Sequence, residues 1–173
     1  MTKKNMTLYA QADDEAGKLV WAIGETPPTK KGHKKTITFP PGSQYDVTIL
    51  LSDNTSPKRG IAFNPATPLY VQEGGSCPPQ PALGSSEIPS TSVNVPNTNT
   101  LKFTNLNMKE CILIYQLNFV DSKGRTVDPP LDPEFKNTGG GGRKLTRAAA
   151  VTAAAIGALL IYLVLTSMGK LGQ

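Results

Sequence analysis

The chain contains few side chains of the types that usually carry catalysis or bind metals. It has one histidine, His33, in a lysine-rich segment, and two cysteines, Cys77 and Cys111. The lysines favour the neutral form of His33, but no serine or cysteine in a recognisable nucleophile motif accompanies it. Zinc and blue-copper sites need several His and Cys ligands at characteristic spacings, which are lacking. The sequence therefore favours a non-catalytic protein without a cofactor or metal.

Four carboxylates between residues 121 and 134 allow two interpretations. An oxygen-rich calcium site is one interpretation of this group, and turn or cap roles for the two Asp-Pro pairs are the other. We favour the second, because Asp-Pro pairs commonly begin turns. The carboxylates are Asp121, Asp128, Asp132 and Glu134.

The distribution of charge argues against a nucleic-acid partner. The net charge is +5, but all 13 acidic residues precede residue 138, together with all but four of the 18 basic ones. The remaining four, Arg143, Lys144, Arg147 and Lys170, lie in a segment without acidic residues. Such a basic flank suits anionic lipid headgroups, so we expect Arg143, Lys144 and Arg147 to contact lipid and expect no nucleic-acid partner.

A transmembrane helix is the clearest element of the sequence. Residues 148–167 contain no charged side chain, and about 20 helical residues span the roughly 30 Å hydrocarbon core of a bilayer. A buried helix of a soluble domain would show a polar stripe, which this segment lacks. We assign the helix to residues 148–168 and a short tail to residues 169–173.

The flanks of this helix predict its orientation. Three basic residues precede it and one follows, so the N-terminal domain is expected in the cytoplasm. The first residues contain no apolar run of signal-peptide length. The protein is thus predicted to be a single-pass, tail-anchored protein of the cell (inner) membrane. Both cysteines are expected to be free thiols there, although an oxidising space would allow them to pair.

The first half of the predicted helix is built from small residues, which form two parallel rows. Such rows allow a second helix to approach closely, so we interpret them as a packing face for an integral membrane protein complex. A compositional bias toward alanine is the alternative. The rows are Ala149, Ala153 and Gly157, and Ala150, Ala154 and Ala158.

The region before the anchor is predicted to be mainly β. Short segments rich in β-branched residues, or alternating in polarity, predict strands over 6–11, 18–23, 35–39, 45–51, 69–72, 101–104 and 111–120. Positions 47, 49 and 51 form one apolar face, and 111–115 is apolar on both faces, as expected of a central strand. We predict an Ig-like β-sandwich over residues 1–137, followed by a Gly-rich and basic linker over 138–147.

Residues 72–100 differ from the rest of the domain, because they are rich in Pro, Gly, Ser, Thr and Asn. A segment of this length is long for a loop within a compact domain. It is interpreted either as a mobile excursion or as an extended arm laid over a partner. Ile88, Val93 and Val95 are candidates for a short edge strand within it.

The end of the domain carries a family resemblance. Residues 115–124 form an apolar strand with a glycine turn, and Asp128-Pro129 and Asp132-Pro133 lead to Asn137. This pattern resembles the ending of the DP-EP family of small bacterial β-sandwich proteins. Glu134-Phe135 stands where a strict pattern would have Glu-Pro. The resemblance implies a β-sandwich and no particular activity.

These features together favour an accessory subunit. The transmembrane helix would dock into a larger membrane complex, of which a photosynthetic or respiratory complex is an example, and the β domain would cover its cytoplasmic face. One alternative is a membrane protein of a lipid-containing bacterial virus that links the bilayer to the capsid. Another is a membrane-tethered binding module or enzyme.

Overall fold

A computed structural model describes residues 2–32, 36–74, 84–132 and 134–139. Within these ranges the chain forms eleven β-strands and a short 3₁₀ helix at Ser90–Ser92. The strands are β1 (Thr2–Glu15), β2 (Lys18–Gly24), β3 (Ile37–Phe39), β4 (Ser43–Asp53), β5 (Ala62–Phe63), β6 (Leu69–Glu73), β7 (Asn94–Asn97), β8 (Thr100–Asn105), β9 (Glu110–Leu117), β10 (Phe119–Val120) and β11 (Glu134–Thr138). The prediction of a mainly β protein is therefore confirmed.

The first sheet is mixed and has the strand order β2-β1-β4-β8-β7. β1 and β2 form a hairpin whose turn residues, Ala16 and Gly17, both have positive φ, as a tight two-residue turn requires. β1 then runs parallel to β4 from Thr2 to Ala12. The predicted apolar face of β4 is confirmed, since Val47, Ile49 and Leu51 are all buried.

The second sheet is also mixed and has the order β3-β11-β9-β6. β11 runs parallel to β3 and antiparallel to β9, so it is hydrogen-bonded on both sides. β9 lies between β11 and β6, which confirms the prediction that this apolar strand is central. On its outer face Ile114 is buried, whereas Ile112 is 48% exposed.

The inner faces of the two sheets contact each other through aromatic rings. Phe135 of β11 stacks on Tyr115 of β9 with ring centroids 3.6 Å apart, and lies 5.8 Å from Phe103 of the first sheet. Phe39 of β3 meets Tyr45 of β4 edge-on at 5.2 Å. These side chains belong to one buried cluster that receives residues from both sheets, a sandwich-like arrangement.

The predicted strand over 111–120 is two strands, β9 and β10, which join different partners. The break falls at Asn118, whose amide N–H donates to the Pro68 carbonyl and whose carbonyl accepts from Asn64. Its side chain also donates to the carbonyl of Thr67. Because these bonds go to a loop, the ladder of β9 ends there and β10 pairs with β5 instead.

The described part of the Pro-rich segment has a defined position in the structure. Residues 84–99 of the Pro-rich segment run along the domain, with Glu87 and Ile88 buried. Val95 lies in β7, an edge strand of the first sheet, as predicted for this residue.

The predicted transmembrane helix lies outside the described residues. Among the residues that are described, none forms a helix of the length and apolar character needed to cross a bilayer.

Candidate functional site: a buried polar cluster where the last strand ends

Most of the side chains singled out in the sequence lie outside the described residues. This applies to the six small residues of the packing face, Ala149, Ala150, Ala153, Ala154, Gly157 and Ala158. It applies equally to Arg143, Lys144 and Arg147, and to His33 and Cys77. Their predicted roles therefore stay predictions.

Among the carboxylates considered for calcium, Asp121 has a structural role in the part of the chain that the structure describes. The side chain of Asp121 accepts hydrogen bonds from the backbone of Lys123 and Arg125 at 2.8 and 3.0 Å, and from the Arg125 guanidinium at 2.8 and 2.6 Å. The guanidinium and these amides lower the pKa of Asp121 from 3.8 to about 2. No group of three or more metal-ligating side chains occurs among the described residues. Asp121 thus holds its own turn together. The turn or cap roles expected of the two Asp-Pro pairs, at Asp128 and Asp132, stay predictions.

A cleft lies between this turn and the loop that follows β4. Asp53 organises that loop by accepting from Thr55, Gly60 and Ile61, and these bonds outweigh its partial burial, so that its pKa is lowered. Gly60 has φ of 68°, and a Cβ there would stand 2.8 Å from Cβ of Ser122. Glycine is therefore required for the two loops to touch.

The cleft has a polar part and an apolar part, with volumes of about 590 and 710 Å³. Lys58, Asp121 and Ser122 line both parts, and the apolar part is closed by Phe63 and Val95. Asp14 pairs with Arg59 across its rim at 2.5 Å. The cleft is large enough for a small molecule, but two of its carboxylates, Asp53 and Asp121, are engaged in holding the loops.

A second site is a buried polar cluster at the end of β11. Asn137, which is fully buried, donates from Nδ2 to Asn105 Oδ1 and to Glu87 Oε2, each at 3.1 Å. Asn105 is also buried and returns a bond of 2.7 Å from its Nδ2 to Asn137 Oδ1. The two amides and the carboxylate therefore link β11 of the second sheet to β8 of the first.

Glu87 is held in this cluster by the loop around it. Its Oε2 accepts from the amide of Met108 at 2.7 Å, and its carbonyl accepts from the amide of Leu106 at 2.7 Å. The hydroxyl of Ser85 accepts from the amide of Glu87 at 3.2 Å and from that of Ile88 at 3.1 Å, which turns the chain inward. Oε1 of Glu87 is buried and has no hydrogen-bond partner.

Cys111 lies directly opposite Asn137 in the antiparallel register of β9 and β11. Burial raises the pKa of the Cys111 thiol, and the negative charges of Glu87 and Glu73 raise it further. Lys109 and a hydrogen bond with Asn137 act in the opposite direction without cancelling this rise. The thiol is therefore a neutral group in contact with the buried cluster.

The cluster was not predicted from the sequence. Glu87 and Asn105 stand in polar segments that resemble ordinary loops, and Asn137 appeared only as the end of the Asp-Pro pattern. The one local signal is the alternation in β11, where Phe135 and Asn137 are buried while Glu134 and Lys136 are exposed.

The arrangement fixes the point at which the chain leaves the domain. One residue beyond Asn137, the Thr138 hydroxyl donates to the carbonyl of Phe39 at 2.7 Å. β11 is thus held by strands on both sides, by a polar cluster beneath it, and by this last bond. We call Glu87, Asn105 and Asn137 the exit clamp.

Comparisons with known proteins identify no relatives. No protein-family model matches the chain, and no curated protein matches it.

Proposed function

We propose that this protein is a non-catalytic, tail-anchored accessory subunit of a larger membrane protein complex. Its transmembrane helix docks among the helices of that complex, and an Ig-like β-sandwich domain covers the cytoplasmic face. The observation that carries the proposal is the uncharged segment 148–167, with its two rows of small residues and its basic flank.

The way in which β11 is held within the β domain also supports this proposal. The chain that enters the linker comes from β11, which is paired on both sides. A domain tethered through such a strand keeps its last residues fixed while it is pulled or pushed against a partner. An edge strand such as β7 would offer one ladder of hydrogen bonds in place of two.

The small rows explain why docking, and not simple anchorage, is proposed. Alanine contributes little to insertion into lipid, so a plain anchor would gain from leucine at the same positions. Small residues instead allow two helix backbones to approach and to gain dispersion energy. The basic residues Arg143, Lys144 and Arg147 then set the depth of the helix at the headgroups.

The test is co-purification of the protein from native membranes with Gly157→Leu. We expect the partners to be lost from the detergent extract while the variant stays in the membrane fraction, because leucine blocks close approach without reducing hydrophobicity. The matched control is Ala155→Leu, which places the same leucine side chain outside both rows. Equal recovery of partners with the wild type and both variants would contradict the docking face.

A further inference from the structure

Cys111 lies beside the three residues of the exit clamp, as the cross-strand partner of one of them. Asn137 and Cys111 are direct cross-strand partners, so their side chains leave the sheet on the same face, with Cβ atoms about 4.5–5.5 Å apart. Each side chain of such a pair can reach the other without backbone movement. Cys111 is half-buried and packs against the core on this face of the sheet.

The amide of Asn137 is polarised at both ends. Asn105 Nδ2 donates to its oxygen at 2.7 Å, the bond that would stabilise negative charge developing on that oxygen. Glu87 Oε2 lies 3.1 Å from its nitrogen. Glu87 is 1% exposed, and among the described residues its second oxygen, Oε1, has no hydrogen-bond partner. Burying an unpartnered carboxylate oxygen costs free energy, so its presence here calls for an explanation.

We propose that Cys111 and Asn137 form an internal thioester between β9 and β11. Cys111 Sγ attacks Cγ of the Asn137 side chain, the Sγ–Cγ bond forms, and the Cγ–Nδ2 bond breaks. The thiol proton passes through Glu87 to Nδ2, which leaves as ammonia. No electrons are exchanged, so the reaction needs no oxidant, reductant or other reactant.

Each surrounding group has a defined part in this step. A neutral thiol is a weak nucleophile. We assign the role of the base that accepts its proton to Glu87, whose Oε2 lies 3.1 Å from Asn137 Nδ2. The same carboxyl then delivers the proton to the departing nitrogen. Asn105 Nδ2 stabilises the oxyanion of the tetrahedral intermediate. Burial of Asn137 keeps water away from the product, while escape of ammonia prevents reversal.

The thioester would be a covalent cross-link at the point where the chain leaves the domain. It joins the last residues of β11 to the first residues of β9, so β11 could no longer slide out of the sheet. This property depends on the domain alone, and it can hold or fail independently of the membrane anchor.

The test is intact-mass analysis of the full-length protein, purified in detergent with a phosphine reductant present to exclude disulfides. We expect a mass below that of the encoded chain by one molecule of ammonia. In denaturant, one of the two cysteines should react with a maleimide. Hydroxylamine, which cleaves thioesters, should raise the number of reactive thiols to two.

Variants distinguish thioester formation from other reactions that release ammonia. Cys77→Ser should keep the mass loss and show no reactive thiol, whereas Cys111→Ala should abolish the loss. Glu87→Gln, which keeps the size of the side chain, should give the unmodified mass with two reactive thiols. An unmodified wild-type mass would overturn the proposal. So would a mass loss that survives in Cys111→Ala, since it would come from ring closure at an asparagine.

Discussion

Replacing Phe135 by alanine tests whether β11 is the inner strand that the structure shows. Phe135 is fully buried and its ring contacts three others: Tyr115 at 3.6 Å, Phe39 at 5.3 Å and Phe103 at 5.8 Å between centroids. Truncation of a core phenylalanine costs about 3–5 kcal/mol. Since aromatic pairs are worth about 0.5–1.5 kcal/mol beyond burial, we expect a loss near the upper end, about 4–5 kcal/mol.

The measurement is a urea titration of the full chain in detergent, followed by tryptophan fluorescence. Trp21 is the only tryptophan of the chain. It stacks on Phe119 at 4.2 Å and donates to the Pro129 carbonyl at 2.7 Å, so its emission reports unfolding of the domain. With a slope of about 2 kcal/mol per molar urea, the midpoint should fall by about 2 M.

Two further variants make this prediction specific. Phe135→Leu keeps a large apolar side chain and should cost about 1–1.5 kcal/mol. Lys136→Ala alters the next residue, which is exposed on the other face of β11, and should change stability by less than about 0.5 kcal/mol. If Phe135→Ala cost no more than Lys136→Ala, β11 would not be part of the core and the topology of the second sheet would be wrong.

Two other predictions concern single polar groups. Tyr115→Phe removes a fully buried hydroxyl without a hydrogen-bond partner, so the same titration should show a gain of about 1 kcal/mol; a loss of that size would mean that the hydroxyl has a partner. Asp121 should titrate near pH 2 by NMR, because its pKa is lowered from 3.8 by Arg125. The lowered pKa means that its contribution to stability is complete above pH 3.8 and is lost as the pH falls through about 2. Arg125→Ala should raise the pKa toward 3.8, and an unchanged value would rule out the guanidinium as the cause.

The strands with regular patterns could be predicted from sequence, and the reason is local. In β4, alternate residues face the core. The apolar character of Val47, Ile49 and Leu51 therefore predicts their burial directly from the sequence. β9 has apolar residues on both faces, and Leu113, Ile114 and Tyr115 are all buried. These signals depend only on neighbours along the chain.

β11 was not predicted because its buried side chains are not all apolar. Only Phe135 is a hydrophobic residue, and Asn137 is buried because Glu87 and Asn105 satisfy its amide. Those partners are 50 and 32 residues away in sequence. A pattern read along the chain cannot contain them. The parallel pairing of β1 with β4 escaped prediction for the same reason, since no turn specifies its register.

The identity of the strand that leads to the linker matters for a tethered domain. Hydrogen bonds between strands run across the strand axis, perpendicular to it in the antiparallel pair β11–β9 and slanted in the parallel pair β11–β3. A pull along β11 therefore loads the ladders to β3 and β9 together, whereas a pull on an edge strand can open its ladder one bond at a time. The bond from Asn105 Nδ2 to Asn137 Oδ1 also ties β11 to the opposite sheet at the residue where such a pull would arrive. Thr138, the last residue of that strand, adds a further bond from its hydroxyl to the carbonyl of Phe39.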